Sequence, residues 1–202
     1  MSWQRTLVIM VKAPRMGQVK TRLGREVGPV EALRTYRVLL ADTLRGLAGD
    51  GRWRTTLAVA PDDAVLAWPW PGNVRCFGQG RGDLGARMQR VFERAPKGPC
   101  VIIGSDIPGI KRQHIARAFS ALGRADLVFG PACDGGYWLV GARRFPKVPR
   151  LFANVRWSSR LALADTLENC SGAKVTLLDQ LEDVDDLASW RRWRAGMASG
   201  RR

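Results

Sequence analysis

The stretch Thr6–Leu23, TLVIMVKAPRMGQVKTRL, predicts a short buried strand that runs directly into a charged loop. Its first half is apolar, as in a strand that is covered on both faces of a parallel sheet. The loop after it carries four cations, Lys12, Arg15, Lys20 and Arg22. Because open α/β sheets bind ligands at the carboxyl ends of their strands, this loop predicts a ligand site at that edge.

Two interpretations of the four cations stay open from residue types alone. Arginine binds phosphate through a planar fork and lysine as a point charge, and Gly17 would let the backbone approach a ligand closely. A solvated basic loop on an arginine-rich surface explains the same residues equally well. The loop is therefore a candidate phosphate site whose support must come from the rest of the chain.

The composition is that of an ordinary folded domain with an unusual charge. The chain has 202 residues, 46% hydrophobic and 25% charged, which suits one well-buried domain. Its net charge of +15 is compatible with nucleic acid, an anionic membrane surface or polyanionic small substrates. The arginines are scattered, and the only dense cluster is RRWRAGMASGRR at the carboxyl end. That scatter favours one phosphate site over a nucleic-acid face.

Cysteine spacing and hydropathy exclude several classes of protein. The four cysteines lie far apart with no C-x-x-C pair, so neither a zinc site nor a disulfide framework is predicted. Free thiols suit a reducing compartment. The chain shows no signal peptide and no apolar run of about eighteen residues, and we expect a cytoplasmic protein with no membrane partner.

Strand-like and helix-like segments alternate along the chain. Helical periodicity is found in Pro29–Gly49, Leu84–Ala95, Ile115–Leu122, Ser158–Asn169 and Asp185–Ala195. Strand-like runs after the first are Thr55–Ala60, Asn73–Phe77, Cys100–Gly104, Asp126–Gly130 and Lys174–Leu178. This alternation indicates right-handed βαβ units and a mostly parallel sheet with helices on both faces.

One strand-like run, Tyr137–Gly141, departs from the alternation. The loop before it is too short for a parallel crossover, so it is predicted to add antiparallel or to form a separate small ribbon. No linker, repeat or low-complexity segment interrupts the chain. We therefore predict a single domain over residues 1–202, of class α/β with a short antiparallel element, and a flexible basic tail from about residue 196.

Two phosphate-binding motifs almost match. The segment Gly80–Gly85 satisfies the G-x-G-x-x-G pattern of dinucleotide-binding turns. Asp83 would oppose a pyrophosphate there and fits better as a helix N-cap, with the glycines in a loop that wraps a base or a sugar. The segment Gly17–Thr21 is similar to a P-loop, but Val19 replaces the glycine that precedes the lysine. Neither motif therefore defines a phosphate site.

The strongest acidic signal is Asp106, in the segment GSDIP directly after the most apolar strand. A carboxylate there lies at the carboxyl edge of the sheet, near the basic loop if the two strands are neighbours. Mg²⁺ takes one or two carboxylates together with substrate phosphates, and Asp106 is placed for that role. The alternative is an Asx-turn or a helix cap, which Asp-x-Pro also favours.

Two further acidic segments are candidates, whereas nucleophilic catalysis has little support. Asp134 precedes a pair of glycines, which indicates a tight bend or close approach by a ligand. The run Glu182–Asp186 is explained most simply as the cap of the terminal helix. The only histidine, His114, lies on the polar side of a predicted helix, and Cys133 has no base nearby.

In combination these segments resemble a known family. The resemblance is carried, in this order, by VKAPRMGQVKTRL, GRGDLGARM, GSDIP, GPACDGGYWLVG, VRWSS and EDVDDL. They are similar to a bacterial family of GT-A-type glycosyltransferases, also called rSAM/selenodomain-associated transferases, in the nucleotide-diphospho-sugar transferase superfamily. The match runs from about Leu7 to Leu187. The first loop and the DVD element also resemble 2-phospholactate guanylyltransferase, a nucleotidyltransferase of the same fold.

The resemblance implies a three-layer, Rossmann-like GT-A fold and a set of site residues. It places the nucleotide at Lys12, Arg15, Lys20, Arg22, Gly82 and Asp83. It places Mg²⁺ or Mn²⁺ at Asp106, Asp183 and Asp185, and an acceptor at Asp134, Gly135, Gly136, Tyr137 and Trp157. Lys20 and Asp106 are the predicted catalytic residues. Glycosyltransferases of this fold usually carry D-x-D, whereas Gly104-Ser105-Asp106 supplies one acid.

The predicted function is that of a Mg²⁺-dependent transferase that binds a nucleotide and a small-molecule acceptor. Its first form is nucleotidyl transfer from an NTP to a phosphorylated acceptor, because four cations suit a triphosphate. Its second form is glycosyl transfer from an NDP-sugar. A basic nucleic-acid-binding protein and a non-catalytic nucleotide sensor are the alternatives from other classes, and homo-oligomer formation stays open.

Overall fold

The computed structural model describes residues 4–199, which form a seven-stranded sheet and seven helices. The strands are β1 (Thr6–Lys12), β2 (Arg54–Ala60), β3 (Arg75–Gly78), β4 (Cys100–Gly104), β5 (Leu127–Pro131), β6 (Tyr137–Ala142) and β7 (Val175–Leu177). The helices are α1 (Thr21–Val27), α2 (Pro29–Leu47), α3 (Ala64–Ala67), α4 (Leu84–Arg94), α5 (Arg112–Ala121), α6 (Ala162–Glu168) and α7 (Leu187–Ser199). The predicted α/β class is confirmed.

The order of the strands in the sheet is β3-β2-β1-β4-β6-β5-β7. Strand β1 pairs in parallel with both β2 and β4. Strand β6 is antiparallel to its neighbours β4 and β5, so the other six strands all run in one direction. Because β1 and β4 are neighbours, the loop after Lys12 and the segment that holds Asp106 leave the sheet side by side at its carboxyl edge.

Side chains that alternate along β1 fill two hydrophobic cores, one on each face of the sheet. Leu7 and Ile9 pack with Tyr36 of α2 on one face, and α5 covers the same face. Val8 packs with Phe92 of α4 on the other face. Burial of the apolar residues of β1 on both sides fixes the position of the strand, and with it the start of the basic loop.

Strand β6 confirms the prediction that Tyr137–Gly141 adds antiparallel. The strand lies in the middle of the sheet, so the alternative of a separate ribbon is wrong. Its residues Trp138, Leu139 and Val140 are buried, as a central strand requires. The short turn before it is closed by a hydrogen bond from the Ala132 N–H to the Gly136 carbonyl, at 3.0 Å.

The helices depart from the predicted ones at several places, which include the unpredicted short helix α3 and the start of α5 at Arg112 rather than at Ile115, and three departures have a clear local reason. Helix α1 was not predicted, because it has seven residues, of which only Leu23 is buried, and no periodic pattern can be read from it. Helix α6 begins at Ala162 rather than at Ser158, which has a positive φ of 58°. Helix α7 begins at Leu187 rather than at Asp185, because the Asp186 carboxylate accepts the Ser189 N–H at 2.8 Å as an N-cap.

The basic tail that was predicted from about residue 196 falls partly on helix α7. The helix continues to Ser199, so residues 196–199 are helical, and residues 200–202 lie outside the described part of the chain. None of the helices within residues 4–199 combines the length and the apolar character needed to cross a bilayer.

Candidate active site

Lys20 is the centre of the candidate site. It precedes α1 with a left-handed backbone, φ 48°, and its side chain is only 2% exposed. Its Nζ lies 2.8 Å from Oδ2 of Asp106 and 2.8 Å from Oδ1 of Asp185. Burial by itself lowers the pKa of Lys20, but the charges of the two carboxylates outweigh it and raise the pKa overall. The ammonium therefore stays charged at physiological pH.

Asp185 reaches Lys20 from the acidic run that precedes α7. The sequence alone favoured helix capping as the role of this run, and Asp186 does cap α7. The adjacent Asp185 turns instead to Lys20 and lies 3.9 Å from Nη1 of Arg22. The predicted acids after β4 and before α7 thus converge on the basic loop, and its role as a phosphate site stays a prediction.

Asp183 lies close to this group of charges. Burial and the negative charge of Asp185 together raise the pKa of the Asp183 carboxyl to about 6, although the positive charge of Lys20 opposes the shift. Asp134 and Asp106 add smaller contributions of the same sign as Asp185. Four carboxyl groups and one buried ammonium therefore lie close enough to influence one another at one edge of the sheet.

The carboxylates of the site fit Mg²⁺ only if substrate phosphates supply most of its ligands. Within residues 4–199 no group of three or more His, Cys, Asp or Glu side chains is arranged to hold a metal ion. Asp106 and Asp185 share the Lys20 ammonium instead. Since Mg²⁺ needs only one or two carboxylates when substrate phosphates supply the remaining ligands, these two acids fit a metal that arrives with a nucleotide.

We expect the stability of the metal-free protein to depend on pH through Asp183. The pKa of this group is raised from 3.8 to about 6, so the folded protein holds the proton more tightly than the unfolded chain does. Its stabilising contribution is complete below about pH 3.8 and is lost as the pH rises through 6. Asp183→Asn should therefore be more stable than wild type above pH 6, with a difference that shrinks toward pH 4.

This prediction is measured by urea unfolding in EDTA between pH 4 and 8. Asp42→Asn is the matched control, because Asp42 lies on α2 away from the cluster and, in the described part of the chain, pairs only with Arg45. A stability difference for Asp183→Asn that stays constant over this range would contradict the raised pKa.

The other cations of the basic loop lie at the exposed rim of the site. Nη2 of Arg15 lies 3.0 Å from Oδ2 of Asp63, and both side chains are exposed. Arg22 is 68% exposed, and Lys12, the last residue of β1, is exposed as well. Exposed ion pairs contribute little free energy, so the Arg15 guanidinium can leave Asp63 for a ligand at small cost.

Tyr36 joins the two segments that form the site, a role that its place in a helical pattern did not reveal. Its buried hydroxyl accepts the Lys12 N–H at 2.9 Å and donates to the Lys12 carbonyl at 3.0 Å. Oγ of Ser105 lies 3.1 Å from the same hydroxyl oxygen. Burial raises the pKa of Tyr36 to about 12, so the hydroxyl keeps its proton. One side chain thus ties the end of β1 to the residue before Asp106.

Tyr36→Phe should loosen both segments. Removal of the hydroxyl leaves the buried groups of Lys12 and Ser105 without this partner, at a cost of roughly 1–3 kcal/mol in the free energy of unfolding. Tyr137→Phe is the matched control, because within residues 4–199 the Tyr137 hydroxyl has a single long hydrogen bond, 3.5 Å from Oγ1 of Thr166. Thermal unfolding of both variants measures the difference, and an equal loss of stability would contradict a special role for Tyr36.

The glycine-rich loop before α4 is fixed by hydrogen bonds within the chain. Asp83 is the predicted N-cap, and its Oδ1 accepts the Ala86 N–H at 2.7 Å. Gly82 has a φ of 107°, which disfavours any other residue. The guanidinium of Arg90 donates to the carbonyls of Gln79 and Arg81 at 2.5 and 3.0 Å. The capping role of Asp83 is confirmed, while contact of Gly82 and Asp83 with a base or sugar stays a prediction.

The loop around Asp134 needs glycines because it forms a tight turn against a neighbouring segment of the chain. Oδ1 of Asp134 accepts the Gly136 N–H at 2.9 Å, which closes a tight turn. Gly135 has a φ of 87°, and a Cβ there would lie 2.2 Å from the carbonyl oxygen of Arg160. Of the two explanations left open, the tight bend is confirmed.

The two aromatic residues of the predicted acceptor site are packed in a cluster. The ring of Trp157 lies 6.4 Å from that of Tyr137 and 6.1 Å from that of Phe152, measured between centroids. A Cβ at Gly85 would lie 2.7 Å from Cζ2 of Trp157, so the indole packs directly on the first turn of α4. Trp157 therefore connects the glycine-rich loop to the acceptor half of the predicted site.

Asp165 holds the segment that carries Trp157, and sequence reasoning missed it. Its carboxylate accepts three hydrogen bonds from Arg156, one from the backbone N–H at 2.9 Å and two from the guanidinium at 2.9 and 2.6 Å. These hydrogen bonds lower the pKa of Asp165 to about 2. In the sequence, Asp165 is one acid in a predicted helix that follows the VRWSS segment. Its spacing from that segment does not indicate that it binds Arg156.

The mostly parallel sheet with helices on both faces has the fold of a nucleotide-diphospho-sugar transferase-like protein. The structure is similar to the "putative nucleotide-diphospho-sugar transferase" of Desulfovibrio desulfuricans G20, with 33% identity and a TM-score of 0.81. That match covers 92% of this chain and 84% of the other. The chain belongs to the bacterial family described as "Uncharacterized protein conserved in bacteria (DUF2064)", which matches residues 43–159. The superfamily inferred from the motifs is confirmed.

Two more distant structures share the fold. One is 4-diphosphocytidyl-2C-methyl-D-erythritol synthase from Anaerococcus prevotii DSM 20548, with 10% identity, a TM-score of 0.62 and coverage of 97% and 99% of the two chains. The other is CMP:2-keto-3-deoxy-manno-octonic acid synthetase complexed with CTP, with 12% identity, a TM-score of 0.58 and coverage of 98% and 99%. At these identities the likeness shows the fold alone. No curated protein matches the chain.

Proposed function

We propose that this protein is a Mg²⁺-dependent nucleotidyltransferase that transfers a nucleoside monophosphate from an NTP to a phosphorylated small molecule. The protein is a transferase that uses a nucleotide, as the names of its relative and of the two structurally similar enzymes indicate. The finer proposal rests on one observation: the Lys20 ammonium is buried between Asp106 and Asp185, where the basic loop meets the end of β4.

In this reaction an oxygen of the acceptor phosphate attacks the α-phosphorus of the NTP. The bond from that phosphorus to the bridging oxygen breaks, and pyrophosphate leaves. Lys20 leaves its carboxylates, moves to the phosphates and neutralises the charge that develops on the leaving group. Lys12, Arg15 and Arg22 bind the outer phosphates at the rim. Asp106 and Asp185 would hold Mg²⁺, which would supply further neutralisation of phosphate charge.

The proposed acceptor region lies over β5 and β6. Asp134 is near enough to Asp183 to contribute to its raised pKa, so this half of the sheet borders the acidic cluster. Gly135, Gly136, Tyr137 and Trp157 shape the adjoining wall of the acceptor region, while the metal needs only Asp106 and Asp185 of the chain. The acceptor would therefore meet the nucleotide beside Lys20.

Glycosyl transfer from an NDP-sugar is the second candidate. It is favoured by the name of the relative that is 33% identical to this chain. The same cations would then stabilise a leaving nucleoside diphosphate. The single acid in Gly104-Ser105-Asp106, where such enzymes usually have D-x-D, places this reaction second.

A thermal-shift panel of the four NTPs and common NDP-sugars, each with and without Mg²⁺, tests the proposal. We expect at least one NTP to raise the melting temperature, and to do so only with Mg²⁺ present. Release of pyrophosphate with a set of phosphorylated acceptors then tests turnover. Stabilisation by NDP-sugars but by no NTP would favour glycosyl transfer, and NTP binding without turnover would identify a sensor. Tight RNA or DNA binding that weakens steeply with salt, without NTP binding, would contradict an enzyme.

A further inference from the structure

An elongated cavity lies between helix α2 and the loop that connects α3 to β3. Its volume is about 610 Å³, within the range of small-molecule sites, roughly 300–1,000 Å³. Its lining residues on α2 run from Arg37 to Ala48, which corresponds to about 16 Å along the helix axis. Neither Lys20 nor the two acids that it contacts line the cavity. The cavity is therefore separate from the candidate active site.

The helical side of the cavity is mainly apolar. Arg37, Ala41, Leu44 and Ala48 follow one another at intervals of three or four residues, so they share one face of α2. Leu40 lines the inner part of the cavity and is buried in the core, whereas Ala41 is exposed. This face of α2 therefore presents apolar surface that the rest of the chain leaves uncovered.

The opposite side of the cavity is formed by two tryptophans that alternate with two prolines. The rings of Trp68 and Trp70 lie 6.3 Å apart between centroids, and both pack against the core. Pro69 and Pro71 have no N–H, and the Trp70 N–H donates to the Trp68 carbonyl at 2.8 Å. The indole N–H of Trp70 donates to the Ala64 carbonyl, also at 2.8 Å. Residues 69–71 thus offer a ligand apolar surface without a free backbone N–H.

The charged side chains of the cavity are all positive. Arg37 is exposed, and within residues 4–199 no carboxylate forms an ion pair with it. Arg45 lies 2.9 Å from Asp42 in an exposed pair, which contributes little free energy. No aspartate or glutamate of residues 4–199 lines the cavity. Its charge therefore favours a negatively charged ligand.

We propose that this cavity binds a single-chain amphiphile with one anionic head group. Its alkyl chain lies between α2 and the two tryptophans, and its head group is bound by Arg37. Burial of the chain removes apolar surface from water, and the guanidinium forms charge-assisted hydrogen bonds with the head group. A peptide fits less well, because its backbone groups need hydrogen-bond partners that residues 69–71 do not offer. The site is independent of the proposed reaction.

The test is a titration of the full ¹⁵N-labelled chain with decanoate, below its micellar concentration and at physiological salt. The reporters are the indole N–H groups of Trp68 and Trp70. We expect saturable shifts of both signals, with a Kd about tenfold higher in Arg37→Gln, because that variant loses a charge-assisted hydrogen bond. Decyltrimethylammonium, which has the same chain and the opposite charge, should cause no saturable shift.

Ala41→Phe tests the position of the alkyl chain. Because Ala41 is exposed, the added ring should enter the cavity without disturbing the core, and we expect it to raise the Kd for decanoate about tenfold. The matched controls are Ala188→Phe and Arg150→Gln, which make the same changes at exposed positions outside the cavity. Both should bind decanoate within about twofold of wild type.

Three results would overturn the proposal. Equal weakening in the variants and their controls, or shifts that never saturate, would indicate general attraction to a basic protein. Equally tight binding of decyltrimethylammonium would exclude the role of Arg37 in selecting an anion. Shifts of the same indole signals by anionic phospholipid vesicles, but not by decanoate, would identify a membrane surface rather than a single-chain ligand.

Discussion

Lys20→Met is expected to reduce the rate of nucleotide transfer by about 10²–10³-fold and to destabilise the metal-free protein. Removing one partner of a fully buried ion pair costs about 3–5 kcal/mol. Asp106 and Asp185 keep 32% and 40% of their side chains exposed, so water compensates part of this loss. We therefore expect a decrease of roughly 2–3 kcal/mol in the free energy of unfolding.

The same variant should respond more strongly to metal than the wild type does. Without the ammonium, the two carboxylates repel each other, and Mg²⁺ can relieve that repulsion. Urea unfolding in EDTA and in 10 mM Mg²⁺ measures both effects. If Mg²⁺ stabilises Lys20→Met no more than it stabilises wild type, the lysine and the metal do not share these acids.

Lys12→Met is the matched control for stability. It removes the same charge from the same loop, but the Lys12 side chain is exposed and forms no ion pair with a carboxylate of residues 4–199. Its free energy of unfolding should stay within about 0.5 kcal/mol of wild type, as for most surface substitutions. A loss equal to that of Lys20→Met would mean that loop charge, rather than the buried ion pair, sets the stability.

Asp106→Asn is expected to abolish the Mg²⁺-dependent part of nucleotide binding. An amide has no negative charge for Mg²⁺, whereas Lys20 keeps Asp185 as its partner, so the fold should persist. In thermal-shift measurements the stabilisation by NTP with Mg²⁺ should fall to the level seen without Mg²⁺. Turnover should fall by about 10²-fold or more.

Asp42→Asn provides the comparison for this second prediction, since it makes the same change on the exposed face of α2. We expect it to bind nucleotide and Mg²⁺ as wild type does. Asp185→Asn should behave like Asp106→Asn, because both acids contact the same ammonium. Unchanged Mg²⁺-dependent binding in Asp106→Asn would exclude Asp106 from the metal site.

Much of the fold was predictable because local patterns identify local structure. The apolar run CVIIG predicted β4 with its observed bounds, Cys100–Gly104, and the periodic apolar residues after Pro29 predicted α2. The place of β6 between β4 and β5 was not predictable. Strand order depends on contacts between distant segments, which no short pattern encodes.

The sequence predicted most residues of the candidate site but not how they contact one another. Charge and position identified Lys20 and Asp106, and the resemblance to a family added Asp183 and Asp185. The bridging position of Lys20 came only from the structure, as did the roles of Tyr36 and Asp165. Tyr36 reads as one more apolar-face residue of a helix, because a sequence shows its ring but not the polar backbone that its hydroxyl meets.

The sequence by itself determined that β1 is a buried strand and that the loop after it carries basic side chains at the carboxyl edge of a parallel sheet. An apolar run that is buried on both faces predicts a central strand of a parallel sheet, and the loop that follows such a strand lies at the carboxyl edge of the sheet. Only the tertiary structure decided where those cations go. Arg15 turns to Asp63 at the rim, whereas Lys20 is buried between acids that come from β4 and from the segment before α7. Charges interact over a few ångströms of space rather than along the chain, so their pairing becomes defined only when β1 and β4 lie side by side.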